Sequence, residues 1–291
     1  MIPAQFEYVR PAGLHDALRI LSEREGEAKI LSGGYSLLPL LKLRLAQPSL
    51  LVDIRDIDGL DVIVETDDAL RIGARATHRQ ILEDPTVRAG YPILVDAASG
   101  IGDPQVRNWG TIGGSCAHAD PSADWPAVLL ATRATLVCRS STGERQVAAA
   151  DFFIDTFQTA IEPSELLTEI RIPRWAKGSG GAYAKIERRA GDFSTVGCAV
   201  MVWIGPDGKI GDAGVGLTAV AETPFASSGA RAALVGAQPG EATFRAAGAA
   251  AAAQSRPAAD AHGPADYKRA MVEEMTVRAL RSAVERALAQ Q

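Results

Sequence analysis

The stretch "ILSGGYSLLPLLKLR", residues 30–44, sets two adjacent glycines between a short apolar run and a leucine-rich helical pattern. A glycine pair after a strand lets consecutive backbone N–H groups turn toward one point and keeps side chains away from it. The helix expected from Leu37, with Ser36 as its N-cap, aims free N–H groups and a positive dipole end at the same place. Ser32, Gly33, Gly34, Tyr35 and Ser36 therefore suit a phosphate or diphosphate. The bland alternative is a tight strand-to-helix turn with nothing bound, and this stretch alone does not separate the two. The device recurs in "GTIGGSCAHAD", residues 110–120, where Thr111, Gly113, Gly114 and Ser115 again stand ahead of an expected helix. Two such turns, separated by a compact α/β unit, argue for a diphosphate held between two lobes.

Around these turns the chain alternates. Leu14, Ala17, Leu18 and Leu21 fall at helical spacing, followed by strands in "AKILSG" and "SLLVDIRD". Two short strands, "DVIVET" and "ALRIGA", come next, then a helix capped by Thr77 and a longer one through "PILVDAASGI". "SADWPAVLLATR" reads as a helix; "ATLVCRS", "RQVAAADFF" and "ELLTEIRIP" read as strands. The stretch "RWAKGSGGA", residues 174–182, has no periodicity and marks the best boundary. Beyond it, "AYAKIERR", "VGCAVMVWI" and "KIGDAGVGLTAV" form an expected antiparallel meander, with "GPDG" as a turn. Helices follow in "PFASSGARAALVG", in the alanine-rich stretch after Pro239, and from Asp266, where Met271, Met275 and Ala279 share a packing face.

Several classes of function are set aside. The chain has 291 residues, a formal net charge of −5, 47% hydrophobic and 22% charged residues, which is ordinary for a globular protein and gives nucleic acid no basic surface. The opening "MIPAQFEYVRPAG" lacks the basic and apolar regions of a signal peptide, and no apolar run reaches spanning length. Cys116, Cys138 and Cys198 are far apart and form no C-x-x-C, as expected of reduced thiols in a cytoplasmic chain with no iron–sulfur site of its own. The four histidines lack metal-site spacing, so no metal ligand is assigned, and no G-x-S-x-G elbow is present. Gly214-Val-Gly216-Leu-Thr-Ala219 fits the loose dinucleotide fingerprint but is followed by a proline instead of a helix, so it is read as a glycine-bearing strand. Asp120, Ser122 and Asp124 stand at a helix start, where capping is the bland reading; Asp124 is alternatively an acceptor for ribityl or ribose hydroxyls. Lys185, Asp192 and Phe193, in "YAKIERRAGDFSTV", read as a surface lysine and a loop unless a cofactor lies beside them.

The ordered set "MIPAQFEYVRP", "LSGGYSLLPLLKLRLAQP", "LVDIRDI", "DPQVRNWGTIGGSCAHADPSAD", "TAIEPSELLTEIRIP", "YAKIERRAGDFSTV" and "GLTAVAETP" resembles, along essentially the whole chain, the FAD-binding medium subunits of molybdenum hydroxylases in the xanthine dehydrogenase family. The nearest likeness is to the medium chains of aerobic carbon monoxide dehydrogenases. The resemblance implies an α+β fold: a vanillyl-alcohol-oxidase-like FAD-binding domain over residues 1–175, made of two α/β subdomains at about 1–56 and 57–175, and a C-terminal domain over 176–291 with a small antiparallel sheet and helices that covers the flavin. It implies that Ser32, Gly33, Gly34, Tyr35 and Ser36 hold the pyrophosphate from one side. Thr111, Gly113, Gly114 and Ser115 would hold it, or the ribityl chain, from the other. Cofactor roles for Ile101, Asp124, Lys185 and Asp192 are implied too, with Phe193 near the flavin ring and Lys185 a cation that stabilises reduced flavin. Tyr35, Ser115 and Phe193 depart from the histidine, asparagine and tyrosine of the commonest pattern; FAD binding survives these changes, while Tyr35 and Phe193 leave the substrate open.

The implied activity is that of an oxidoreductase subunit with no catalytic side chain of its own, acting through electron relay. Substrate is oxidised at a molybdopterin cofactor in a large partner subunit, electrons cross two [2Fe–2S] clusters in a small one, and FAD here hands them to quinone or another acceptor. A dimer of heterotrimers in the cytoplasm, with peripheral attachment to the membrane allowed, goes with that reading. Two competitors are a self-contained FAD oxidoreductase of the same fold and a nucleotide-binding scaffold without flavin.

Overall fold

A computed structural model describes residues 2–291. The chain opens with β1 (Glu7–Val9), α1 (Leu14–Glu23), β2 (Ala28–Leu31), α2 (Leu37–Leu43) and β3 (Leu50–Asp53). β3 runs between β1 and β2 and parallel to both, and all four of its residues are buried. That is why "LLVD" is unbroken by polar alternation until its end. α1 lays Ala17, Leu18 and Leu21 over this small sheet, and they close a core of their own with Leu50, Val52, Ile54 and Ile57. α2 buries only Leu41, which leaves Leu38 and Leu43 exposed.

The central unit comprises β4 (Ile63–Glu65), β5 (Ala69–Gly73), α3 (His78–Glu83), α4 (Pro85–Gly90), α5 (Pro92–Gly100), α6 (Pro104–Trp109), α7 (Ile112–His118), α8 (Asp124–Thr132), β6 (Thr135–Ser140), β7 (Gly143–Ala148), α9 (Ala149–Phe152), β8 (Phe153–Asp155), β9 (Gln158–Thr159) and β10 (Leu166–Pro173). Its five-stranded sheet has the order β4-β5-β10-β6-β7 and is antiparallel throughout. The helices cover it with Ile81, Ile93, Leu94, Ile112, Trp125 and Leu129, all buried. Their starts are chemically marked. Thr77 and Gln80 form a reciprocal capping box, and Asp84 and Asp103 cap helices that begin with Pro85 and Pro104.

The C-terminal region holds β11 (Ser179–Ile186), β12 (Val196–Ile204), β13 (Ile210–Thr218), β14 (Phe225–Ala226), α10 (Ser228–Leu234), α11 (Glu241–Gln254) and α12 (Ala265–Leu288). The four strands form an antiparallel meander in chain order. The first eight residues of this region's central strand β12 include seven in an unbroken buried run, as expected of a strand covered on both faces. One cover is α12, through Met275, Ala279, Leu280 and Ala283. The other is α8 of the central unit. A Cβ at Gly214 or Gly216 would overlap the carbonyls of Ala131 or Ala127, so the G-x-G of β13 exists to let α8 approach the sheet.

Three local expectations change. Ser179, Gly180 and Gly181 belong to β11 and not to an aperiodic linker. A Cβ on Gly180 would overlap the backbone of α12, so these glycines are packing residues, which composition alone made look like a loop. "RQVAAADFF" is not one strand: its alanines leave the sheet at Ala149 and wind into α9. The helix expected over "PFASSGARAALVG" begins only at Ser228, after the short β14, with Ser227 as its cap.

Candidate functional site

The two glycine stretches meet. Ser32 Oγ and Thr111 Oγ1 share a hydrogen bond of 3.1 Å. Beside it the Gly33 backbone lies against the chain entering the second stretch; a Cβ there would overlap the Trp109 carbonyl and stand 3.0 Å from Gly110 Cα. Gly34 has φ of +79°, a left-handed conformation that costs a side-chain-bearing residue about 1–2 kcal/mol. Among the described residues, the N–H groups of Gly33, Gly34, Tyr35 and Ser36 have no acceptor within the chain. Ser36 does not cap α2: it is itself helical at φ −93° and ψ −44°, and its side chain makes no cap bond. The helix winds from Gly34, whose carbonyl accepts from Leu38 N at 2.9 Å, so the hydroxyl of Ser36 is left over.

The second stretch is built differently. Gly113, Gly114 and Ser115 do not precede a helix; they are the first turn of α7, capped by Thr111, whose Oγ1 accepts from Gly114 N at 3.1 Å. Ile112 N donates to Ala76 O at 3.0 Å, Gly113 N to Ala74 O at 2.8 Å, and Ser115 N to Thr111 O at 3.0 Å. No N–H of residues 112–115 is free to cradle an anion. Gly113 is a glycine because a Cβ would overlap Ala74; at Gly114 it would meet only Thr111 Oγ1, at 2.7 Å. This wall offers hydroxyls, those of Thr111 and Ser115, where a nest was expected.

Behind it sits His78, which sequence reasoning missed. Its ring is buried, its Nδ1 accepts from Trp125 Nε1 at 3.0 Å, and its Nε2 lies 2.7 Å from where a Gly110 Cβ would be. Burial, assisted by Arg107, pulls its pKa down to about 4, so the imidazole is neutral at pH 7. Near this wall, Cys116 is fully buried with its thiol pushed up by burial, and His118 packs at a tilt on Phe157 with ring centroids 5.0 Å apart.

From Trp109 the site continues along α6 to the turn after α5. Arg107 Nη1 donates to Ile101 O and Gly102 O, both at 3.0 Å, and fixes that turn. Ile101 is partly buried against the central core. On the far side stands the loop between β11 and β12: Gly191, at φ +83°, packs on Gly102. Lys185 Nζ donates to Gly100 O at 2.7 Å and to Asp192 O at 3.1 Å. Phe193, half exposed, and Tyr35, 42% exposed, are the aromatic side chains among the expected site residues. A strip of contacts thus runs from Ser32 through Thr111, Trp109, Arg107 and Gly102 to the loop that carries Asp192 and Phe193.

Two expectations about charge are corrected. Lys185 is no surface lysine, its side chain being 8% exposed, and no free cation either. Its Nζ stands 3.0 Å from Glu187 Oε2 and 3.4 Å from Asp124 Oδ1. Its three donors go to the Gly100 and Asp192 carbonyls and to Asp124 Oδ2, with the Glu187 carboxylate beside it as a further counter-charge. Asp124, 6% exposed, is not open for hydroxyls of a ligand at Oδ1, which already accepts from Tyr183 Oη at 2.5 Å and Ser194 Oγ at 2.8 Å. Burial raises the pKa of its carboxyl against the opposing pull of Lys185, Tyr183 and Ser194, and burial together with Asp124 raises the Tyr183 phenol.

Residues 4–175 match the family model described as the FAD binding domain in molybdopterin dehydrogenase, and residues 181–283 match the CO dehydrogenase flavoprotein C-terminal domain. The chain belongs to the FAD-binding medium subunits of molybdenum hydroxylases. It is 42% identical over 283 residues to the carbon monoxide dehydrogenase medium chain of Hydrogenophaga pseudoflava, covering 97% of this chain and 98% of that one. The solved carbon monoxide dehydrogenase of that organism, in a form lacking the Mo-pyranopterin moiety, superimposes with a TM-score of 0.95 at 43% identity, over 98% of this chain and 99% of the other. Quinoline 2-oxidoreductase from Pseudomonas putida 86 gives a TM-score of 0.92 at 34% identity, over 99% and 100%. This medium-subunit fold therefore serves enzymes named for unlike substrates. Among the described residues, no helix is long and apolar enough to cross a membrane.

Proposed function

We propose that this medium subunit holds FAD along the strip from Ser32 to Phe193 and relays electrons from a partner's [2Fe–2S] clusters to an external acceptor such as quinone. The observation that carries the reading is the junction at Ser32 and Thr111, whose hydroxyls lie 3.1 Å apart next to the four unpaired N–H groups of residues 33–36. This donor set fits a diphosphate: N–H and O–H groups give charge-assisted bonds, and glycine backbones admit the close approach. Bound FAD would supply the chemistry of a carrier that takes up and releases electrons. The chain's own residues bind and orient it. Gly33, Gly34, Tyr35 and Ser36 donate backbone N–H groups, and Ser32, Ser36, Thr111 and Ser115 donate hydroxyls. Ile101, Asp192 and Phe193 border the far end, while Lys185 and Asp124 fix that border instead of offering charge.

The finer arrangement belongs to the same reading. Residues 1–175 act as a vanillyl-alcohol-oxidase-like FAD domain, with the small parallel sheet as one subdomain and the antiparallel sheet as the other. Residues 176–291 cover the flavin. Iron–sulfur and molybdopterin chemistry sits in small and large partner subunits, in a cytoplasmic dimer of heterotrimers that contacts a membrane only peripherally. The substrate is set by the large subunit, carbon monoxide being the first to try, given the relatives.

The test is purification with and without partners. About one FAD per chain should be released by acid, which excludes a covalent link, and iron and molybdenum should copurify only with the complex. The chain alone should oxidise no hydroxylase substrate. Turnover by the isolated chain would favour the self-contained oxidoreductase, and a colourless chain carrying a plain nucleotide would favour the scaffold.

A further inference from the structure

The loop between β11 and β12 is held at both ends by one carboxylate. Lys185, entering the loop, and Ser194, leaving it, both reach Asp124 on α8, and Thr195 N donates to Ile186 O at 2.8 Å to close the base. The third group on Asp124 is Tyr183, two residues before Lys185 on the same strand. Its ring is buried, and its hydroxyl makes the shortest of these contacts, 2.5 Å. The neighbouring strand makes room for that oxygen: a Cβ on Gly197 would overlap Tyr183 Oη. A tyrosine with a glycine kept opposite its hydroxyl is a built arrangement, since phenylalanine would fill the same apolar space without needing a donor site.

We propose that Tyr183 is a positioning residue for the flavin. With Ser194 it anchors Asp124 at Oδ1, so that the carboxylate presents its edge to Lys185. The lysine then holds the Asp192 carbonyl, and with it the backbone on which Phe193 stands. The inference rests on the reading that FAD lies beside Phe193, and goes beyond it by naming two side chains, Tyr183 and Ser194, that act on the cofactor without touching it. A buried carboxylate that loses a donor must find another partner or take up a proton, and either outcome shifts the loop.

A second tie between the same units supplies the control. Arg286 on α12 binds Asp96 of α5 through Nη1 at 2.6 Å and Nη2 at 3.0 Å, and Tyr183 N donates to Asp96 Oδ2 at 3.1 Å. It joins the units through the Tyr183 backbone amide, which an asparagine oxygen at 96 can still accept, and reaches neither the Tyr183 hydroxyl nor Lys185. The full chain is compared as wild type, Tyr183→Phe, Ser194→Ala and Asp96→Asn. The readouts are the FAD dissociation constant, the visible circular dichroism and midpoint potential of the bound flavin, and the melting temperature. Tyr183→Phe should weaken FAD binding by about tenfold, the scale of one lost hydrogen bond to a charged group. It should also change the visible circular dichroism and the potential, with Ser194→Ala changing both in the same direction. Asp96→Asn should lower the melting temperature and leave both flavin signatures unchanged. If Tyr183→Phe is too unstable to purify, Ser194→Ala alone decides. Variants of Tyr183 or Ser194 that lose only melting temperature overturn the inference while the cofactor reading stands. A wild-type chain that takes up no FAD overturns both.

Discussion

The two glycine pairs look alike in sequence and do different work. At Gly33-Gly34 the backbone is open: its N–H groups are unspent and φ at Gly34 is +79°. At Gly113-Gly114 the backbone is closed: the N–H groups of the first turn of α7 go to Ala74, Ala76 and Thr111, and Gly113 lies against Ala74. One pair packs against another stretch of chain and leaves its N–H groups free; the other spends its N–H groups where a helix approaches a strand end. A glycine pair therefore reports close approach, and only the fate of its N–H groups tells what approaches.

Substitutions should separate the two. The largest effect is expected at Gly33, where any Cβ overlaps the Trp109 carbonyl and pries the walls apart. Gly33→Val should lose two or more charged contacts at about 1.5–3 kcal/mol each, a hundredfold or more in the FAD dissociation constant, measured by flavin fluorescence titration. Retention of wild-type affinity would show that the junction is not the site.

Acid should attack the second wall first. His78 has a folded pKa of about 4, below its ordinary 6.5, so the unfolded chain binds the extra proton. Stability held in full above pH 6.5 falls as pH drops through that window, by up to about 3 kcal/mol near pH 4. Urea melts of wild type and His78→Gln at pH 7 and pH 4.5 check this; the variant should lose less between the two.

Smaller effects sharpen the contrast. A Cβ on Gly34 points at Leu31 and Leu38, 3.2 Å away, and not into the nest, so Gly34→Ala acts through backbone strain of about 1–2 kcal/mol. Affinity should fall about tenfold, because relief of the strain moves the N–H groups. Gly113→Ala should instead cost about 1–3 kcal/mol of stability through overpacking, with the dissociation constant of the folded fraction changed less than threefold. Gly114→Ala, touching only the capping hydroxyl, should be mildest at about 1 kcal/mol.

Much of this was legible because the chemistry was local. Helical spacing marked α1, the Thr77 cap marked α3, and the apolar run of β12 marked a strand of the meander. The pairing of Ser32 with Thr111 was legible as an expectation of two walls, though not as a direct contact. What the sequence hid is set by partners distant in the chain. Lys185 reads as a surface lysine until Glu187 and Asp124 are seen around it. Tyr183 opens the stretch "YAKIERRAGDFSTV", which gives it no role, and His78 carries no motif; their roles come from Asp124, Trp125 and Gly110 arriving from other elements. The strand start misread as linker at residues 179–181 has the same cause, since glycines demanded by α12 at 180 and by Met201 and Ile93 at 181 look in sequence like a loop. A trace exists for Tyr183: Gly197, which leaves room for its hydroxyl, stands in a strand otherwise rich in valine and marks a space reserved for something.

Amide hydrogen exchange on the full chain, labelled with 15N-glycine and followed by NMR with and without FAD, tests the division of labour most directly. Gly33 and Gly34 should exchange fast in the FAD-free chain and become protected when FAD binds, while Gly113 and Gly114 should be protected in both states. Protection of Gly33 and Gly34 without FAD, or gain of protection only at Gly113 and Gly114, would contradict the account.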